Sequence, residues 1–127
     1  MSEGYSQALR TLLSRSIVSV EQVEVLLLLR GAQEKGWTPE AISTELRSSV
    51  NSVRRRLDDL LRSKLVERNE SGEFFYSAAA AEPAVGELAH EYQTRRVRLI
   101  EAIFARPVDA ARSFADAFRL WEDDDDR

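Results

Sequence analysis

The sequence predicts a mainly α protein with one small β-hairpin at its centre and added helices at both ends. Three observations carry that expectation. Residues 38–77 read as helix, tight turn, helix and hairpin. A broadly apolar helix precedes them, over residues 20–35. A long apolar stripe follows, over residues 84–105.

Residues 1–4 are expected to fray. Residues 5–14 can form a short helix with Leu9, Leu12 and Leu13 on one side, too short to stand alone in water. Ser19 with Gln22 three residues on is a capping-box pattern opening the next helix. There Val23, Leu26, Leu27 and Arg30 share one face, with Val25, Leu28 and Leu29 beside it, so the helix is buried on several sides. Gly36 is read as its end and Trp37 as a short strand entering the core. Thr38-Pro39-Glu40 then combines a hydroxyl cap, a first-turn proline and a carboxylate at the positive helix end. That helix should run to about residue 47. Ser48-Ser49 breaks the pattern, and Ser49 caps a second helix over residues 50–63. Val53, Leu57, Leu60 and Leu61 recur there at helical spacing and define one buried face. Residues 64–68 and 74–77 are β-type runs around a polar turn with Gly72, a hairpin signal.

Beyond residue 83 a single helix is expected over residues 84–105. Val85, Leu88, Tyr92, Leu99 and Ile103 make its stripe, and Arg95-Arg96 holds the missing apolar position. Pro107 restarts a last helix carrying Phe114, Phe118 and Trp121 at i, i+4 and i+7. The acidic run 122–126 opposes a helix dipole, so that helix should stop near Trp121. The expected organisation is an arm over residues 1–19, a domain over 20–81 and C-terminal helices over 82–127.

Charge and composition narrow the functions. The 127-residue chain is 43% apolar, enough for one core, and has no cysteine, which removes disulfides and thiolate metal sites. Its net charge is −4. Residues 1–37 and 38–81 are each neutral, and residues 82–127 carry the whole excess. The run of residues 23–29 is too short to span a bilayer. No basic-then-apolar leader opens the chain, so a cytoplasmic protein is expected.

Helix, tight turn, helix and hairpin together resemble a winged helix-turn-helix of the MarR/ArsR type. The resemblance covers roughly residues 20–77 and rests most on Ser49-Val50-Asn51-Ser52-Val53-Arg54-Arg55-Arg56-Leu57 leading into Lys64-Leu65-Val66-Glu67-Arg68. It implies a DNA-binding transcriptional regulator, with double-stranded DNA as partner and the helix after Ser49 as its recognition helix. With Leu57 facing the core, steps of about 100° point Asn51, Ser52, Arg55, Asp59 and Arg62 outward. In such proteins the first outward residues enter the major groove. Asn51 and Arg55 are therefore expected to read bases. Ser49, Ser52, Arg54 and Arg56, with Lys64 and Arg68 at the hairpin base, are expected at phosphates. The resemblance also implies a homodimer. Leu9, Leu12, Leu88, Tyr92, Leu99, Ile103, Phe114, Phe118 and Trp121 are the expected interface. A monomer completed by folded-back helices is the plainer alternative.

Other features favour surface chemistry of an ordinary kind. Arg54 with Asp58, Arg55 with Asp59, and Asp58 with Arg62 are opposite charges at i, i+4 and could form a plain surface ladder. Glu70 and Glu73 stand at the wing tip, where DNA-binding wings of this type usually carry cations. A protein-binding winged helix is therefore the alternative reading, with a protein partner in place of DNA. His90 is a lone surface histidine off the stripe. No metal site, cofactor loop or nucleophile–base set is present in the pattern, and no enzyme is expected.

Overall fold

Side-chain caps set the helix starts along the first half of the chain. In each, a hydroxyl accepts the backbone N–H three residues on: Ser6 from Leu9, Ser19 from Gln22, Thr38 from Ala41 and Ser49 from Ser52, all at 3.1 Å. The computed structural model describes residues 4–105. The caps open α1 (Gln7–Arg15), α2 (Val20–Gly31), α3 (Pro39–Leu46) and α4 (Val50–Arg62). The hairpin follows as β1 (Val66–Arg68) and β2 (Phe74–Tyr76), antiparallel, with Val66 opposite Tyr76 and Arg68 opposite Phe74. Its turn closes through Asn69, with Gly72 at φ +83. Trp37 adds a third line, exchanging backbone hydrogen bonds of 2.9 and 2.8 Å with Phe74. The chain continues as α5 (Ala78–Ala81), α6 (Ala84–Thr94) and α7 (Arg96–Phe104). The mainly α class and the central helix–turn–helix–hairpin are thus as the sequence predicts.

The core runs through both parts. Helix α2 packs on α3, α4 and β2, burying Val23, Val25, Leu26 and Leu29. Val53, Leu57 and Leu60 of α4 are fully buried. Each such side chain contributes roughly 1.5–3 kcal/mol on leaving water. Helix α1 packs on α6 and α7.

Four expectations are corrected. Helix α2 stops at Gly31, not near residue 35. Gly36 is instead a point of close approach: a Cβ there would lie 2.7 Å from Glu73 Cβ and 2.8 Å from Phe75 Cζ. Gln22 does not close a capping box. It is fully buried, accepts the Val18 N–H at 2.9 Å and donates to the Ser16 carbonyl, thereby fixing the α1–α2 connection. The long helix is broken at Arg95 (φ −140, ψ 54), where the stripe lacks an apolar residue to hold it down, and both halves lie on α1. Finally, Leu9, Leu12, Leu88, Leu99 and Ile103 are buried within the single chain. They are core of the α1–α6–α7 body, because that helix pairing covers them without a second subunit. Tyr92 is half-buried and donates to Glu24 at 2.8 Å. Phe114, Phe118, Trp121 and the acidic run lie outside the described residues.

Candidate nucleic-acid interface

The turn between α3 and α4 determines what α4 presents. Arg47 takes the left-handed conformation at φ 58, and the N–H groups of Arg47 and Ser48 both close on the Ser43 carbonyl. The chain reverses there, and the Ser49 cap starts α4 in a new direction. With its buried face on α2 and α3, α4 exposes Asn51, Arg54, Arg55, Asp58 and Arg62. Asn51 and Arg55 lie on its outward side within the first two turns, as the sequence predicts.

Ser52, Arg56 and Asp59 lie elsewhere than expected. The Ser52 hydroxyl donates to the Glu21 carboxylate at the start of α2. Arg56 donates to the Ser19 hydroxyl at 3.3 Å and lies 3.7 Å from both Glu21 and Asp59, with its side chain only 20% exposed. Asp59 also holds Arg62. These groups form a polar seam between α4 and α2, so Ser52 and Arg56 face the body rather than open solvent. The seam was not legible because its partners, Ser19 and Glu21, are some thirty residues away in sequence.

None of the three i, i+4 pairs forms. Arg54 reaches across to Glu40 on α3 at 2.8 Å, and both side chains are more than half exposed. The Glu40 carboxyl is held below its ordinary range by its own backbone N–H and then by Arg54. Arg54 and Glu40 line a groove of about 380 Å³ between α3, α4 and the wing, with Arg68 and Gly72 on its other side. The Arg68 guanidinium lies 5.8 Å from the Phe74 ring centre. Among the described residues, no ion pair holds Arg55, Lys64 or Arg68. Lys64 follows the C-terminal end of α4, about 20 Å along the helix from Ser49. At the wing tip Glu73 is turned in, accepting from the Asn69 side chain at 3.1 Å and packing against Gly36, which leaves Glu70 as the exposed acid.

The arrangement can therefore present one amide and one unpaired guanidinium to base edges, with further cations at both ends of α4. His90 is exposed, and the described residues hold no cluster of His, Cys, Asp or Glu suited to a metal. No helix among them is long and apolar enough to cross a membrane.

No protein-family model and no curated protein matches the chain. Solved structures do. Staphylococcus aureus MepR in complex with DNA is 18% identical, covering 91% of this chain and 81% of its own at a TM-score of 0.56. Escherichia coli MarR in its reduced form is 21% identical over 91% and 81%, at 0.53. Lactococcus lactis ZitR is 18% identical over 90% and 79%, at 0.50. At these identities the likeness is one of architecture, and the chain carries the winged-helix fold of the MarR-type regulators.

Proposed function

We propose that the chain is a cytoplasmic DNA-binding transcriptional regulator, not an enzyme, acting as a homodimer that inserts α4 into the major groove. The observation that carries the reading is the exposed pair Asn51 and Arg55 on the first two turns of α4, with Arg55 free of any ion pair among the described residues. Arg suits guanine O6/N7 and Asn suits adenine N6/N7. MepR, which shares the fold, was solved bound to DNA. Ser49, Arg54, Lys64 and Arg68 are the phosphate contacts in this reading. Arg54 must exchange Glu40 for a phosphate, whereas Ser52 and Arg56 serve to seat α4 on α2.

In the dimer, residues 20–81 are the reading head, and residues 1–19 and 82–127 the coupling arms. The interface assigned from sequence is mostly core, so the coupling surface shifts to the outer face of α7. There Val97 and Phe104 are 70% and 71% exposed, with half-buried Ile100 between them. Two-fold pairing would present two copies of α4 to half-sites one helical turn apart.

Selection from random-sequence duplexes at two salt concentrations tests the proposal. The expected result is enrichment of a palindromic site and weaker binding at higher salt. No binding even at low salt would overturn it and leave protein recognition, around Glu70 and the Glu40 groove, as the better reading.

A further inference from the structure

Among the described residues, two that are not glycine adopt a left-handed backbone: Arg47 at φ 58 and Lys64 at φ 64. Both are basic, both are exposed, and they bracket α4 at its two ends. Left-handed geometry is unfavourable for a side chain bearing a Cβ, and glycine adopts it freely. A helix stop of this kind is most often glycine for that reason. At Arg47 no side-chain contact among the described residues offsets the strain. Its backbone N–H closes α3, which glycine would do equally well, and its side chain makes no hydrogen bond or ion pair with any described residue. Among the described residues, nothing requires an arginine there.

Its position gives the missing reason. Arg47 lies two residues before Ser49, the cap of α4, beside the turns that present Asn51 and Arg55. Neighbouring Arg54 is already neutralised by Glu40, and Arg56 by Glu21 and Asp59. We infer that Arg47 is a backbone anchor of the interface, holding a DNA phosphate beside the start of α4. The inference rests on the DNA-binding reading above and adds to it a residue outside the recognition helix.

The substitution that removes the contact also removes the strain, so function and folding separate cleanly. Phosphate contacts carry no base information, so a duplex of random sequence suffices as probe. Binding of the full chain would be measured by anisotropy from about 50 to 200 mM salt, with thermal melts on the same samples. Arg47→Gly is expected to bind several-fold more weakly at the low-salt end. Its log–log salt slope should fall by about 0.9 for each protomer bound. Its melting temperature should be equal to or above that of the wild type. Arg47→Lys should keep the wild-type slope. A wild-type slope in Arg47→Gly, a lower melting temperature in that variant, or a slope loss in Arg47→Lys equal to that of Arg47→Gly would each overturn the assignment while leaving DNA binding intact. Absence of DNA binding by the wild type would instead remove the functional reading on which it rests.

Discussion

Gly36 and Gly31 are five residues apart, and the same substitution should act on them with opposite sign. At Gly36 an added methyl would stand 2.7 Å from Glu73 Cβ, 2.8 Å from Glu73 Oε1 and 2.8 Å from Phe75 Cζ. Carbon pairs pack at about 3.5–4.0 Å, so the overlap is roughly 1 Å. Glu73 Oε1 can rotate away, but Glu73 Cβ moves only with the hairpin backbone. The methyl must therefore push the wing off Trp37, straining the two Trp37–Phe74 hydrogen bonds of 2.9 and 2.8 Å. Overpacking of this kind costs about 1–3 kcal/mol, and the lost conformational freedom of glycine returns about 0.5–1. A net loss of about 1–2 kcal/mol is expected for Gly36→Ala. With a urea slope of about 1–3 kcal/mol/M, the unfolding midpoint should drop by roughly half to one molar. At Gly31, the last residue of α2, nothing lies within 4 Å of the added methyl. Gly31→Ala should gain about 0.5–1 kcal/mol, and its midpoint should rise. Urea titrations of both variants followed by circular dichroism decide the matter. If the two midpoints move in the same direction, the close approach of the Trp37 strand to the wing is not as described.

Other perturbations bear on the interface, the arms and the polar contacts. Arg55→Ala should relax sequence preference at one base pair per half-site, costing about 1–3 kcal/mol in competition binding against base-substituted sites; uniform weakening across those sites would remove it from base reading. Glu40→Gln should tighten binding by up to about fivefold, as release of an exposed ion pair allows, and the gain should vanish in an Arg54→Gln background. Persistence of the gain there would mean that Glu40 acts through its field alone. Phe104→Glu should halve the mass seen by light scattering at micromolar concentration, from about twice 14.4 kDa to the single chain; an unchanged dimer mass would move the interface off α7. Glu82, though partly desolvated, is held below its ordinary value of 4.5 by hydrogen bonds from Arg30 and Tyr76. A depressed carboxyl stabilises the fold above its unfolded value and loses that contribution as pH falls through the folded one. The stability gap between wild type and Glu82→Gln should therefore be full at pH 7 and shrink below about pH 4.5; a gap constant down to pH 3 would show that the charge at Glu82 does not contribute.

What could be read from sequence follows the range of the interactions concerned. Thr38 and Ser49 were legible as caps because a cap and its target are three residues apart. Val53, Leu57 and Leu60 were legible because a buried helix face repeats at a fixed angle. The hairpin was legible from a polar turn with Gly72 between two β-type runs. Contacts between distant segments were not. Glu21 reaches Ser52 across thirty-one residues and turns it inward. Glu40 takes Arg54 away from Asp58. Gly36 looked like a helix stop because its neighbour on β2 is invisible in the local pattern. The leucines of α1 and α6 looked like an interface because an amphipathic stripe does not say which surface covers it. A break at Arg95 lets one chain cover its own stripe.

These distant pairings also bear on a chain of net charge −4 whose winged stretch is neutral. Counting formal charges treats every arginine as equally available, and the structure shows that they are not. The carboxylates of Glu21 and Glu40 stand on α2 and α3 and neutralise Arg56 and Arg54, the two flanks of α4. Arg55 on the exposed face, with Arg47 and Lys64 at the ends, has no such partner among the described residues. Neutralised flanks reduce attraction to phosphates, which is the part of DNA binding that ignores sequence. The base-edge contacts proposed for Asn51 and Arg55 would be left untouched. Low net charge around α4 therefore need not count against the proposed DNA partner. It shifts the balance from indiscriminate affinity towards discrimination, because each phosphate contact withheld weakens every site alike, whereas each base contact kept weakens only the wrong ones.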